Sequence, residues 1–136
     1  MTTPNDGAAN WKQRVVFLSL LLLFFTIPHT LEDFAIGEPT AAGVPAPLLA
    51  LVVSTIFFIQ AIGLFWLGQG HRWGVFAHIG IGLFWPLASG IAQLPTILTE
   101  TPYRSGAISI IYVAGMIVIG LLLCFSAIMA LVNKEN

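Results

Sequence analysis

Four long apolar stretches, separated by short polar or glycine- and proline-rich links, dominate the chain. They run from Val15 to about Ile36, from Pro47 to Leu67, from Trp73 to about Leu94 and from Gly106 to Val132. Each is close to or above the ~20 residues that a helix needs to cross a ~30 Å hydrocarbon core. Isolated Gly and Pro within them are ordinary for membrane helices. A period-two alternation, which an outer-membrane barrel would require, is absent. The pattern predicts an all-α integral membrane protein with four transmembrane helices, forming a single domain over residues 1–136.

The links are Gly37 to Ala46, with two glycines and two prolines, the basic turn Gly68 to Arg72, and the polar segment Pro95 to Ser105. Links this short make consecutive helices antiparallel neighbours, so an up-down four-helix bundle is expected. Pro28 falls inside the first span and should kink it, freeing the Phe24 carbonyl. The pentapeptide Ile62–Trp66 recurs as Ile81–Trp85, but the similarity ends there and reads as coincidence in a biased composition.

Composition strengthens the assignment. The 136 residues are 57% hydrophobic and 8% charged, against roughly 25% charged in soluble domains. A water-soluble globule with so few charges could not cover its surface. The formal net charge of -1 argues against a nucleic-acid partner. Cys124 is the single cysteine, which excludes an internal disulfide, a Cys-X-X-Cys pair and a cysteine-built metal site.

Lys12, Arg14, His71, Arg72 and Lys134 fall on one side of the four spans, and Arg104 alone on the other. The positive-inside rule then places both termini in the cytoplasm. Glu32, Asp33, Glu38 and Glu100 gather at the outer ends. No small-X-small cleavage site follows the first apolar core, so a retained helix is expected rather than a removed leader.

The polar residues inside the spans converge on one layer. His29 lies about two-thirds of the way along the first span, with Glu32 and Asp33 at the i+3 and i+4 positions of the same face. Ser19 and Thr26 continue that stripe inward. Ser54 and Thr55, Ser89 and Gln93, and Ser109 and Tyr112 fall at similar depths on the other spans. Ionisable groups at such depth cost roughly 2.5–3.5 kcal/mol each and normally face the bundle interior or a water-filled cavity. The alternative is that Glu32 and Asp33 reach the outer headgroups. A His with two carboxylates can relay protons or offer N and O ligands to a divalent metal. Further metal ligands would have to come from Glu38, Glu100 or Tyr112, and neither a metal nor another cofactor is expected.

His78 sits near the cytoplasmic end of the third span, flanked at i-4 and i+4 by Gly74 and Gly82, with Gln60 at a comparable depth. A packing histidine bonded to Gln60 or a backbone carbonyl is expected there, with a substrate contact as the alternative. His29 and His78 differ by about nine residues in depth, ~13 Å. One haem iron cannot bridge that gap.

The segment His29-Thr30-Leu31-Glu32-Asp33 resembles the signature of the bacterial HXXEE-domain family, with Asp33 in place of the second glutamate and His78 as a match for a later histidine. The resemblance implies a small multi-span protein of a bacterial or archaeal cytoplasmic membrane in which these residues act as a unit. It carries over no activity. The architecture is also similar to the four-span sterol-isomerase-like (EXPERA) group, whose members use acidic and histidine groups in a membrane pocket.

Three functions follow as expectations. An enzyme on a lipid-like or isoprenoid substrate would use Glu32 or Asp33 as general acid and His29 as base. Tyr112 would orient the substrate, Trp66, Phe84 and Trp85 would line an apolar pocket, and Ser54, Thr55, His78, Ser89 and Gln93 would supply contacts. An accessory or binding subunit would pack through Gly80, Gly82 and Gly115 against a larger membrane complex. A proton-coupled transporter would require an oligomer, since four short helices enclose too little volume. Expected partners are membrane lipids, a hydrophobic small molecule and further copies of the chain or other subunits.

Overall fold

A computed structural model describes the backbone of residues 6–99 and 102–133 and the side chains from residue 10 onward. Glu100 and Lys134 lie outside the described residues. Five helices follow one another: α1 (Asp6–Ala35), α2 (Glu38–Ala41), α3 (Ala46–Gly68), α4 (Arg72–Thr99) and α5 (Ala107–Val132). Four are long and apolar enough to cross a membrane, and no strand occurs among the described residues.

The helix limits depart from expectation in three places. α1 starts at Asp6, nine residues before Val15, and holds Pro28 within it as the first span was expected to. α4 continues through Pro95 to Thr99, where a polar loop was expected. The first link contains the short helix α2, stabilised by Pro39 in its first turn. At Pro28 and Pro95 the freed carbonyl costs one hydrogen bond, which a long membrane helix tolerates.

α1 and α5 bury their residues at coiled-coil spacing. On α1 these are Val15, Ser19, Leu22, Thr26 and His29, and on α5 Ser109, Val113, Met116, Gly120, Leu123, Ala127 and Ala130. Alternating steps of three and four give each helix one seam, and the seams meet antiparallel. Phe25 lies against Gly115, and the Trp11 and Phe125 rings pack edge to face at 6.0 Å. α4 lies between α5 and α3 and carries a buried face toward each. α1 packs on α5, α5 on α4 and α4 on α3.

Small residues set how closely α4 approaches its neighbours. A Cβ on Gly82 would stand 2.6 Å from the Cys124 nitrogen and 2.8 Å from the Gly120 carbonyl oxygen. A Cβ on Gly74 would stand 2.7 Å from the Gly63 carbonyl oxygen. Backbone-to-backbone approach of this kind is how membrane helices associate without a hydrophobic driving force. Gly80, by contrast, faces open space and plays no packing part.

Sequential adjacency fails at one joint. α1 and α3, consecutive spans, meet mainly where the Gln60 amide donates to the Ser19 carbonyl and hydroxyl, both at 2.9 Å. Otherwise α3 hangs on α4, with Gln60, Gly63 and Leu67 as its buried residues. The opposite faces of α3, including Leu51, Phe58 and Phe65, are exposed. Toward the C-terminal end of α1 and the N-terminal end of α3 the two helices leave a cleft.

Gly82→Ala should therefore destabilise the bundle by about 1–3 kcal/mol through overpacking. Gly80→Ala should be neutral, or stabilise by up to ~1 kcal/mol from helix propensity. Unfolding titrations of both variants in mixed micelles would check this. Equal effects would refute the packing assignment.

Candidate functional site

The C-terminal end of α1 carries His29, Glu32 and Asp33 on one face, at i, i+3 and i+4. His29 is 4% exposed and stands between the two carboxylates. Its Nδ1 is 4.0 Å from Glu32 Oε2, and its Nε2 is 3.6 Å from Asp33 Oδ2. Neither distance makes a hydrogen bond. His29 Nδ1 and Glu32 Oε2 are buried and have no partner among the described residues.

The flanking groups are held firmly. Ser109 Oγ donates to Glu32 Oε1 at 2.5 Å and accepts the Ser105 amide at 3.2 Å. Arg104, 6% exposed, pairs through one nitrogen with Asp33 Oδ1. Its other terminal nitrogen donates to Gln93 Oε1 at 2.8 Å and stands 3.4 Å from Glu38 Oε1. The Tyr103 hydroxyl donates to the same Gln93 oxygen at 2.7 Å. Burial pushes the Tyr103 phenol up to about 12, with Arg104 opposing the rise and Asp33, Glu32 and Glu38 adding to it. Arg104 adopts a left-handed backbone, φ 43°, a conformation that costs a non-glycine residue roughly 1–2 kcal/mol. The three oxygens around its guanidinium offset that cost.

Beside the cluster, the parting of α1 and α3 opens a cavity of about 290 Å³. Its walls are apolar, formed by Val52, Val53 and Ile56 of α3 and by Phe84, Trp85 and Ala88 of α4. His29, Thr30, Asp33, Glu38 and Gln93 form its polar part, with Pro39 and Ala42 from α2 and the turn after it. Along α4 it extends from Phe84 to Gln93, about 14 Å.

The expected site residues divide. His29, Asp33, Phe84, Trp85 and Gln93 line this cavity. Glu32 belongs to the cluster but points to Ser109. Ser54 and Thr55 lie on the exposed side of α3, and the Thr55 hydroxyl bonds its own helix at Leu51 O, 2.8 Å. Similar depth did not bring them inward, because depth says nothing about which face a residue occupies. Trp66 is 39% exposed near the far end of α3. Ser89 is buried with its hydroxyl 3.7 Å from Met116 Sδ. Tyr112 is half-buried on α5 and makes no part of the cluster or the cavity; the phenol at this site is that of Tyr103.

His78 proves fully satisfied. Its Nδ1 donates to Gly74 O at 2.6 Å, and its Nε2 takes the Ser19 hydroxyl at 3.1 Å. Gln60 joins it through Ser19 rather than directly. Ser19 lies ten residues before His29 on α1, so about 15 Å separates the two histidines. No group of three or more His, Cys, Asp or Glu side chains among the described residues could hold a metal ion.

Tyr103, Arg104 and Ser105 were missed as site residues. One signal was available: Arg104 is the basic residue on the acidic side of the spans. No family model, curated protein or solved structure matches the chain.

Arg104→Met and Asp33→Asn should each destabilise the protein by about 2–3 kcal/mol. That is less than the ~3–5 kcal/mol of a broken, fully buried pair, because Asp33 is 20% exposed. The double variant should lose clearly less than the sum; strict additivity in unfolding titrations would dissolve the pair. Tyr103 makes a second prediction. Its phenol stays protonated to about pH 12 when folded and to about pH 10 when unfolded. Its contribution to stability is thus complete below pH 10 and lost as pH rises toward 12. An ultraviolet tyrosinate titration should show a late step that Tyr103→Phe removes.

Proposed function

We propose that this protein takes a lipid-like or isoprenoid molecule sideways from the bilayer into the α1–α3 cleft and acts on it by acid–base chemistry at His29, Glu32 and Asp33. The observation that carries this reading is the combination of an apolar cavity with a buried imidazole that has no hydrogen bond at its polar end. An unsatisfied buried polar group costs about 1–3 kcal/mol, and a ligand's polar group recovers that cost.

The chemistry follows from the bracketing. One nitrogen of His29 takes a proton from the bound molecule while the other passes one toward Glu32, whose Oε2 is free and 4.0 Å away. Ser109 positions Glu32 for the exchange. Asp33, committed to Arg104, orients the imidazole instead of exchanging protons. Gln93 takes the substrate-orienting role first assigned to Tyr112.

In this reading both termini are cytoplasmic and the site opens near the outer leaflet. The basic residues Lys12, Arg14 and Arg72 support that orientation, and pairing with Asp33 and Glu38 accounts for Arg104 on the other side. The resemblance of His29–Asp33 to the HXXEE-domain family supports a bacterial or archaeal cytoplasmic membrane as the setting.

Membranes containing the protein should convert a component of an isoprenoid-rich lipid extract. His29→Ala and Glu32→Gln should each lower turnover by about 10²–10⁴-fold, and Val53→Trp, which fills the cleft, should abolish it. Turnover unchanged in all three folded variants would overturn the proposal.

A further inference from the structure

We infer that the cleft selects a single-chain or compact amphiphile whose polar end is a hydrogen-bond donor without negative charge, a hydroxyl or an ammonium group. The inference rests on reading the cleft as a lipid site and narrows what enters it. The first ground is the placement of charge. Asp33 and Glu38 line the cleft, whereas Arg104, the cation that pairs with both, does not, and no other lysine or arginine among the described residues does so. Arg104 has a side chain only 6% exposed, pairs with Asp33, Gln93 and Glu38, and stands outside the cleft lining, so it presents no cation there to a ligand anion.

The second ground is independent. His29, 4% exposed, lines the cleft; its Nδ1 is buried without a partner among the described residues, and its Nε2 stands 3.6 Å from Asp33 Oδ2, too far for a hydrogen bond. A neutral imidazole nitrogen accepts a hydrogen bond from a hydroxyl or ammonium group. A carboxylate or phosphate would instead face two carboxylates in a low-dielectric site, where like-charge apposition costs several kcal/mol.

The third ground is size. Small-molecule sites enclose roughly 300–1,000 Å³, and about 290 Å³ lies at the bottom of that range. One chain or a compact ring system fits the apolar part between Trp85 and Ile56, whereas a two-chain phospholipid would have to leave most of its tails outside.

The test uses the full chain in phosphatidylcholine nanodiscs and three photoactivatable probes. All share one alkyl-diazirine tail and end in a hydroxyl, a primary ammonium or a carboxylate. Mildly alkaline buffer keeps the carboxylate probe ionised. The hydroxyl and ammonium probes should label cleft residues such as Val53 and Ile56 at least about tenfold more than the carboxylate probe. Glu38→Gln, a change at a half-exposed side chain, should narrow the ammonium-to-carboxylate ratio several-fold. Carboxylate labelling equal to that by the hydroxyl probe, or a ratio unaltered in Glu38→Gln, would overturn the head-group inference while leaving the cleft as a lipid site. Failure of every probe to label the cleft would overturn the lipid site itself.

Discussion

The pairing of Arg104 with Asp33 ties the α4–α5 loop to the C-terminal end of α1, and the layout of the site follows from that tie. A carboxylate near the end of a membrane helix has two ways to lower its energy: reach the headgroups or find a cation. Here the cation comes from the chain itself, and it also engages Gln93 and Glu38. With Asp33 held on one side and Glu32 held by Ser109 on the other, His29 is left between two carboxylates and bonded to neither.

The two buried histidines show how the same residue type serves two purposes. His78 has a partner at each nitrogen, one of them a carbonyl of its own helix. That arrangement fixes its tautomer, pins α4 to α1 and leaves no bonding capacity to spare. His29 has unspent capacity beside a cavity. In a hydrocarbon setting, where water does not readily fill the deficit, this difference separates a packing residue from a candidate for chemistry.

The cleft arises from unequal helix association. α4 and α5 approach through Gly82 and Gly120, α4 and α3 through Gly74 and Gly63, and α1 and α5 through Gly115 under Phe25. Among the described residues no such glycine joins α1 to α3, and a hydrogen bond from Gln60 takes its place at one level only. Where the backbones are not drawn together the helices separate, and in the proposed reading the opening faces the bilayer rather than water. A lipid-derived ligand then needs no aqueous passage.

Much of this was legible in the chain alone. Length and hydropathy determined the four spans, because the bilayer demands long apolar helices and permits little else. The i, i+3, i+4 spacing put His29, Glu32 and Asp33 on one face, and helical rise separated His29 from His78. Only the tertiary structure decided which faces turn inward. Ser54 and Thr55 share the depth of the site yet face outward, Tyr112 gives way to Tyr103, and Arg104 enters from a loop seventy-one residues away from Asp33. Depth along a helix follows from counting residues. Rotation about its axis depends on neighbours, and in spans that are apolar on every side the sequence carries little trace of it.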